Sequence, residues 1–283
     1  MTTAQKYLRF IAETHAQGSG AAQSYVTAIN KLEFALHEAG MLSGEQSLWG
    51  VHDTQYLANL YEFVKQEQKK DDGGIFCNES AKSYWQKGFC SAALKQLSQF
   101  VTLFAREETM LQKVATAING AQLGKDLAAT PLSANPLLIA DELDISSAEG
   151  KTALREVEVR QNQYVFRKMI LTIYSGQCCL PGLSVPDVLR ASHISAWASD
   201  AENRLNPENG LCLSATYDAA FDRHLISFDE DYRLIIAPCA KEHYTDNAFK
   251  EHFVKLEGRK IAMPVKFLPS QKLLSEHREH LIG

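Results

Sequence analysis

The sequence predicts an α+β chain, with an all-helical N-terminal domain over 1–120 followed by a domain over 152–283 built on a strand, strand, helix frame. Three observations lead there. Apolar residues in the first part recur at helical spacing. The stretch 121–151 loses any period and gathers Pro131, Pro136, Ser133, Asn135, Ser146, Ser147 and Gly150. Beyond one more helix, the pattern shortens to brief apolar runs bounded by turn residues.

In chain order, Tyr7, Phe10 and Ile11, then Ala22, Tyr25, Val26, Ile29, Leu32, Ala35 and Leu36, fall on helical faces. Asp53 within His52-Asp53-Thr54 offers an N-cap ahead of Leu57, Leu60, Tyr61 and Val64. A single long helix is expected from Ser80 to Phe104, carrying Tyr84, Trp85, Phe89, Leu94, Leu97 and Phe100. Residues 121–151 read as a linker or irregular strap between domains. Thr152–Tyr174 reads as a helix, Val188–Ile194 and Gly210–Leu213 as strands, and Thr216–Arg223 as a short helix. Leu225–Phe228 and Tyr232–Ala237 read as strands joined by the turn Asp229-Glu230-Asp231.

Composition bounds the function classes. Apolar residues make up 45% and charged residues 22%, ordinary for a globular protein. No apolar run approaches the roughly 18 residues of a membrane span, so no membrane partner is expected. Met1–Arg9 lacks the features of a secretory signal, which places the protein in the cytoplasm. The six cysteines show no C-x-x-C pair, so buried free thiols are expected and a structural zinc is not. Residues 1–150 carry 12 Lys and Arg against 17 Asp and Glu, and the remainder 17 against 17. This balance excludes a broadly basic chain but leaves room for a local basic groove.

The C-terminal half holds residues whose types suit phosphodiester hydrolysis. That reaction needs a base to activate water, a divalent cation to neutralise the phosphate, and a frame to align both. His193 ends the first expected strand in Ala191-Ser192-His193-Ile194. Asn209 opens Asn209-Gly210-Leu211. Asp218 and Asp222 stand at i and i+4, on one face of the short helix. Two carboxylates form a hard oxygen site suited to one Mg²⁺ or Mn²⁺.

The run from about Val159 onward resembles the HNH endonuclease family, in its bacterial restriction-type subgroup. The matching words are Phe166-Arg167-Lys168, Tyr174-x-Gly176-x-Cys178, Gly182, Ala191-x-His193-Ile194 with Trp197, and Asn206-Pro207-x-Asn209-Gly210-Leu211-x-Leu213. They continue with Phe221-Asp222-Arg223, Leu225-Ile226, Leu256-Glu257-Gly258, Pro264, Leu268-Pro269 and His277-Arg278-Glu279. The resemblance implies a ββα-metal fold and a DNA endonuclease of restriction or defence type. In it His193 is general base, Asn209 braces the loop and orients the base, and Asp222, with Asp218, binds the metal. Arg167, Lys168 and Arg223 are candidate phosphate contacts, and Tyr217 is open between packing and a hydroxyl contact to phosphate. The chain departs from the family at two positions, and a third differs from many of its members though small residues are frequent there in this subgroup. Tyr217 stands where several relatives have His, His224 stands where Gly is usual, and Ser192 stands where many HNH enzymes place a metal-binding Asp or His. His224, His243, His252, His277 and His280 read as structural or exposed. RNA or structured DNA as substrate, or a nucleic-acid-binding protein with an impaired core, are the competing readings. Palindromic double-strand cutting would call for a homodimer. The helical domain would serve recognition or dimerisation.

Overall fold

A computed structural model of the chain describes residues 2–14, 21–77, 82–130 and 148–281. The fold is α+β and divides into two compact units, Met1–Ala105 with Leu132–Glu158, and Arg106–Pro131 with Val159–Gly283.

The first unit is helical. Its elements are α1 (Thr3–Thr14), α2 (Ala21–Glu38), α3 (Thr54–Glu67), α4 (Ser83–Gln86) and the opening turns of α5 (Phe89–Thr116). Tyr7, Ile11, Ile29, Leu32, Leu36, Leu57, Val64, Leu94 and Leu97 are buried together, as their spacing predicts. Asp53 caps α3 by accepting from the Gln55 and Tyr56 N–H groups. The single helix expected over Ser80–Phe104 is two helices. The chain turns at Gly88, whose φ of 75° is left-handed, so α4 ends at Gln86 and α5 begins afresh at Phe89. Ser80 lies outside the described residues.

Helix α5 runs on past Phe104, and its last turns belong to the second unit. Arg106 donates to the side chains of Gln161 and Asn162, Tyr164 donates to Glu107, and Met110 and Val114 enter the second core. Residues 120–128, expected at the start of a linker, form α6 (Gly120–Ala128), capped by Asn119. Its buried face is Leu123 and Leu127 with Gly120 and Gly124 between. Two glycines and only nine residues leave a period too short to stand out in sequence. Gly124 allows a close approach: a Cβ there would lie 2.8 Å from the Asn206 nitrogen. The rest of the expected linker, 131–147, lies outside the described residues, and Ala148–Lys151 already belongs to α7 (Ala148–Ile173).

The second unit places β1 (Leu189–His193) antiparallel to β2 (Gly210–Ser214), with Leu189 opposite Ser214 and His193 opposite Gly210. Strand β2 is buried along its whole length. Helix α8 (Ala215–Asp222) follows directly. A second antiparallel pair, β3 (Ile226–Phe228) and β4 (Leu234–Ile236), comes next, joined by the acidic turn in which Asp229 accepts from the Asp231 and Arg233 N–H groups. Then come α9 (Asn247–His252) and α10 (Gln271–Glu279). The core gathers Phe166, Met169 and Ile170 of α7, Leu211 and Leu213 of β2, Phe221 of α8, and Leu274 of α10. Among the described residues no helix is long and apolar enough to cross a membrane.

Candidate active site

Strand β1 delivers His193 at its final residue, opposite Gly210. That glycine is needed for packing, because a Cβ there would collide with the side chains of Ile170 and Phe166. The His193 ring is held on three sides. It stacks on Phe166 at 3.7 Å between centroids, meets the edge of Trp197 at 5.4 Å, and sets Nε2 3.0 Å from the Arg204 carbonyl. A carbonyl can only accept, so Nε2 carries the proton and Nδ1 keeps the free lone pair. Burial holds the His193 pKa below its ordinary value, against smaller opposing effects of the Arg204 carbonyl and the Asp218 charge. The ring is therefore neutral at neutral pH, the state a general base requires.

The loop between β1 and β2 is tied by asparagines three residues apart. Asn206 donates to the Asn203 side chain, and the Asn209 N–H donates to the Asn206 carbonyl. The Asn209 side chain is wholly buried. It accepts from the Ser195 N–H at 2.7 Å and donates to the Ser195 and Asn203 carbonyls, each at 3.1 Å. Asn209 thus works as a positioning residue, with no exposed surface from which to touch a ligand. Arg204 sits over the Trp197 ring and donates Nε to its carbonyl. That contact fixes the carbonyl-bearing segment that holds His193.

Helix α8 sorts its residues by face. Tyr217, Ala220 and Phe221 are buried, while Asp218 is half-buried and Asp222 exposed. His193, Asp218 and Asp222 line one cavity of about 710 Å³. Partial desolvation, and then the charge of Asp218, raise the Asp222 carboxyl pKa above its ordinary value. The two carboxylates therefore feel each other, as a shared cation would require.

Below α8, the chain end acts as a clamp. His277 of α10 is buried and stacks flat on Phe221 at 3.8 Å. Its Nε2 donates to the Phe221 carbonyl at 3.1 Å, and its Nδ1 lies 3.0 Å from the Ser227 hydroxyl. Burial pushes the His277 pKa down to about 4. Helix α8 closes with paired bonds, Leu225 N–H to the Ala220 carbonyl and His224 N–H to the Phe221 carbonyl, around His224 at φ 53°.

The other sequence candidates lie elsewhere. Arg167 spends its guanidinium on the carbonyls of Leu189 and Pro186, at 2.7 and 3.0 Å, where it secures the entry to β1. Lys168 lies 3.9 Å from the Glu107 carboxylate and over the Tyr164 ring. Tyr217 donates its hydroxyl to the His252 carbonyl at 2.8 Å and packs edge-on against Phe253. Arg223 is exposed at the end of α8. None of these four lines the cavity, whereas Arg190, Trp197, His224, Glu276 and His280 do. Glu276 and His280 had no sequence signal as site residues, because they reach the cavity only through the docking of α10. His224 did have one: a β-carbon where a helix-ending glycine was expected.

Residues 178–229 match the HNH endonuclease family model. The matched stretch contains β1, β2, α8 and β3, and with them His193, Asn209, Asp218 and Asp222. The match supports a nuclease, an enzyme that hydrolyses phosphodiester bonds. Comparison with curated proteins finds no match.

Proposed function

We propose that the protein is a DNA endonuclease of restriction or defence type, dependent on one divalent cation. The observation that carries this reading is the single cavity in which a neutral, carbonyl-anchored His193 faces the Asp218 and Asp222 pair. In the proposed reaction, His193 takes a proton from water at Nδ1. The water oxygen forms a bond to phosphorus as the bond to the 3′-oxygen breaks, and bulk water protonates the leaving oxygen. Asp218, close enough to influence the imidazole electrostatically, stabilises the imidazolium that forms.

The donor set fits an ion that retains most of its waters. Among the described residues no three His, Cys, Asp or Glu side chains gather as a metal site. Asp218 and Asp222 supply two carboxylates, within the one or two with which Mg²⁺ is commonly held. Mn²⁺ accepts the same oxygen donors. When bound, such a cation supplies charge neutralisation at the phosphate and at the leaving oxygen. Six unpaired cysteines suit a reducing cytoplasm, and cutting both strands of a palindrome would bring two copies together.

Plasmid DNA incubated with Mg²⁺ or Mn²⁺, with and without EDTA, tests the reading. Metal-dependent nicking or linearisation is expected, and parallel incubations with RNA and branched DNA show whether either is cut faster. Absence of cleavage with every divalent cation would refute it.

A further inference from the structure

His224 carries two local costs. Its backbone sits at φ 53°, where a β-carbon is strained and glycine is not. Its Nδ1 is shielded from solvent and has no hydrogen-bond partner among the described residues, so the nitrogen that can meet a ligand in the cavity is Nε2. Residues held against such costs concentrate where a ligand is met. The His224 ring lies 4.5 Å from that of His277 and 5.4 Å from that of His280, and it lines the same cavity as Asp222. His277 already uses both of its nitrogens within the fold, so of the three imidazoles it is His224 and His280 that can meet a ligand.

Along α8 the site has an order. Asp218 lies toward His193, Asp222 follows about 6 Å further along the helix axis, and His224 with His280 closes the series. The carboxylates suit a cation. At the far end, the imidazoles gather into no three-ligand metal site among the described residues, and imidazole N–H groups suit an anion, to which they donate. We propose that His224, with His280 beside it, binds phosphate oxygens of the DNA strand adjacent to the scissile phosphate and so positions the substrate. This inference rests on the nuclease reading above and extends it to residues outside the base and carboxylate set.

The test uses the full chain and a fluorescein-labelled DNA duplex in EDTA at low salt, where binding is read without cleavage. Losing a hydrogen bond to a charged phosphate should weaken binding roughly tenfold or more in His224→Gly, and likewise in His280→Ala. The melting temperature of His224→Gly should equal or exceed that of the wild type, because glycine relieves the left-handed backbone. His224→Asn, which tolerates that backbone and still donates a hydrogen bond, should recover part of the affinity. With metal present, the loss in His224→Gly should fall more on KM than on kcat. Wild-type affinity in His224→Gly, or affinity lost only in step with a fall in melting temperature, would overturn the proposal. So would a wild-type protein that binds no duplex. If the wild type binds but never cleaves, the nuclease reading fails while the affinity series still decides the role of His224.

Discussion

Replacing Asn209 by leucine should loosen the loop that holds the base while leaving the cavity's chemical groups in place. The substitution nearly conserves volume but removes one acceptor and two donors. The Ser195 N–H, the Ser195 carbonyl and the Asn203 carbonyl each lose their side-chain partner. A buried group left unsatisfied costs about 1–3 kcal/mol. Ser195 and Asn203 are only half-buried and can draw water, so the lower end applies, giving a total of about 3 kcal/mol. Against a domain stability of about 5–15 kcal/mol that is a large fraction, and at about 2–4 °C per kcal/mol it lowers the melting temperature by roughly 6–12 °C. Asn209→Asp should fare no better, since its second oxygen would face two carbonyls in place of an amide donor. The catalytic consequence follows from Arg204, whose carbonyl anchors His193 from within this loop. Misplacement of the base by an ångström costs up to about 10²-fold in rate. Chemical denaturation, and cleavage assayed well below the melting temperature, read the two effects separately. An Asn209→Leu protein that unfolds within about 1 kcal/mol of the wild type and cuts at the wild-type rate would refute the brace.

The remaining predictions bear on the residues in the cavity and those beneath it. His193→Ala should lower the cleavage rate by about 10²–10⁴-fold with duplex affinity in EDTA unchanged; a wild-type rate removes His193 from the base role. Because burial holds the His193 pKa below its ordinary value, the acid limb of kcat/KM should lie below pH 6.5, with activity lost as pH falls through that limb. A limb above pH 6.5 would contradict the neutral, desolvated ring. Asp218→Asn and Asp222→Asn should each weaken Mn²⁺ binding by calorimetry at least about tenfold, and an unchanged affinity in either removes that carboxylate from the site. His277 is depressed to about 4 from 6.5, so its contribution is fully present above pH 6.5 and is lost as pH falls through 4. Stability should drop by about 3 kcal/mol over that window, and a His277 NMR titration near 6.5 would refute it.

The two halves of the chain were unequally legible. In α3 apolar period and capping agree with burial, and at the start of α5 the apolar period does, so Leu57, Val64, Leu94 and Leu97 were readable as core. The ends of β1, β2 and α8 were also readable, because turn residues punctuate short apolar runs there. What sequence concealed was non-local. Arg167 looks like a phosphate contact until the carbonyls of Leu189 and Pro186 are found around its guanidinium. Helix α6 is hidden by its glycines, whose use is the contact with the backbone at Asn206. Glu276 and His280 are far in sequence from His193 and share its cavity only because Phe221, His277 and Ser227 dock α10 beneath α8.

The departures at Tyr217 and His224 have opposite consequences, and burial separates them. Residues 217 and 218 are neighbours on α8, so a register error of one residue would exchange a packing side chain for a cavity carboxylate. Tyr217 is 5% exposed, with its hydroxyl bonded to the His252 carbonyl and its ring against Phe253. The side facing away from that contact carries Asp218 and Asp222, one helical turn apart. A histidine at 217 would therefore face α9, and its absence takes nothing from the cavity. Tyr217→Phe should cost about 1 kcal/mol of stability through the lost hydrogen bond and leave the cleavage rate unchanged. Abolished cleavage in Tyr217→Phe, with normal cutting by Asp218→Asn, would mean that the helix presents the other face. At 224 the opposite holds. The backbone there is already in the conformation that glycine would take, so the turn does not need the imidazole, which lines the cavity.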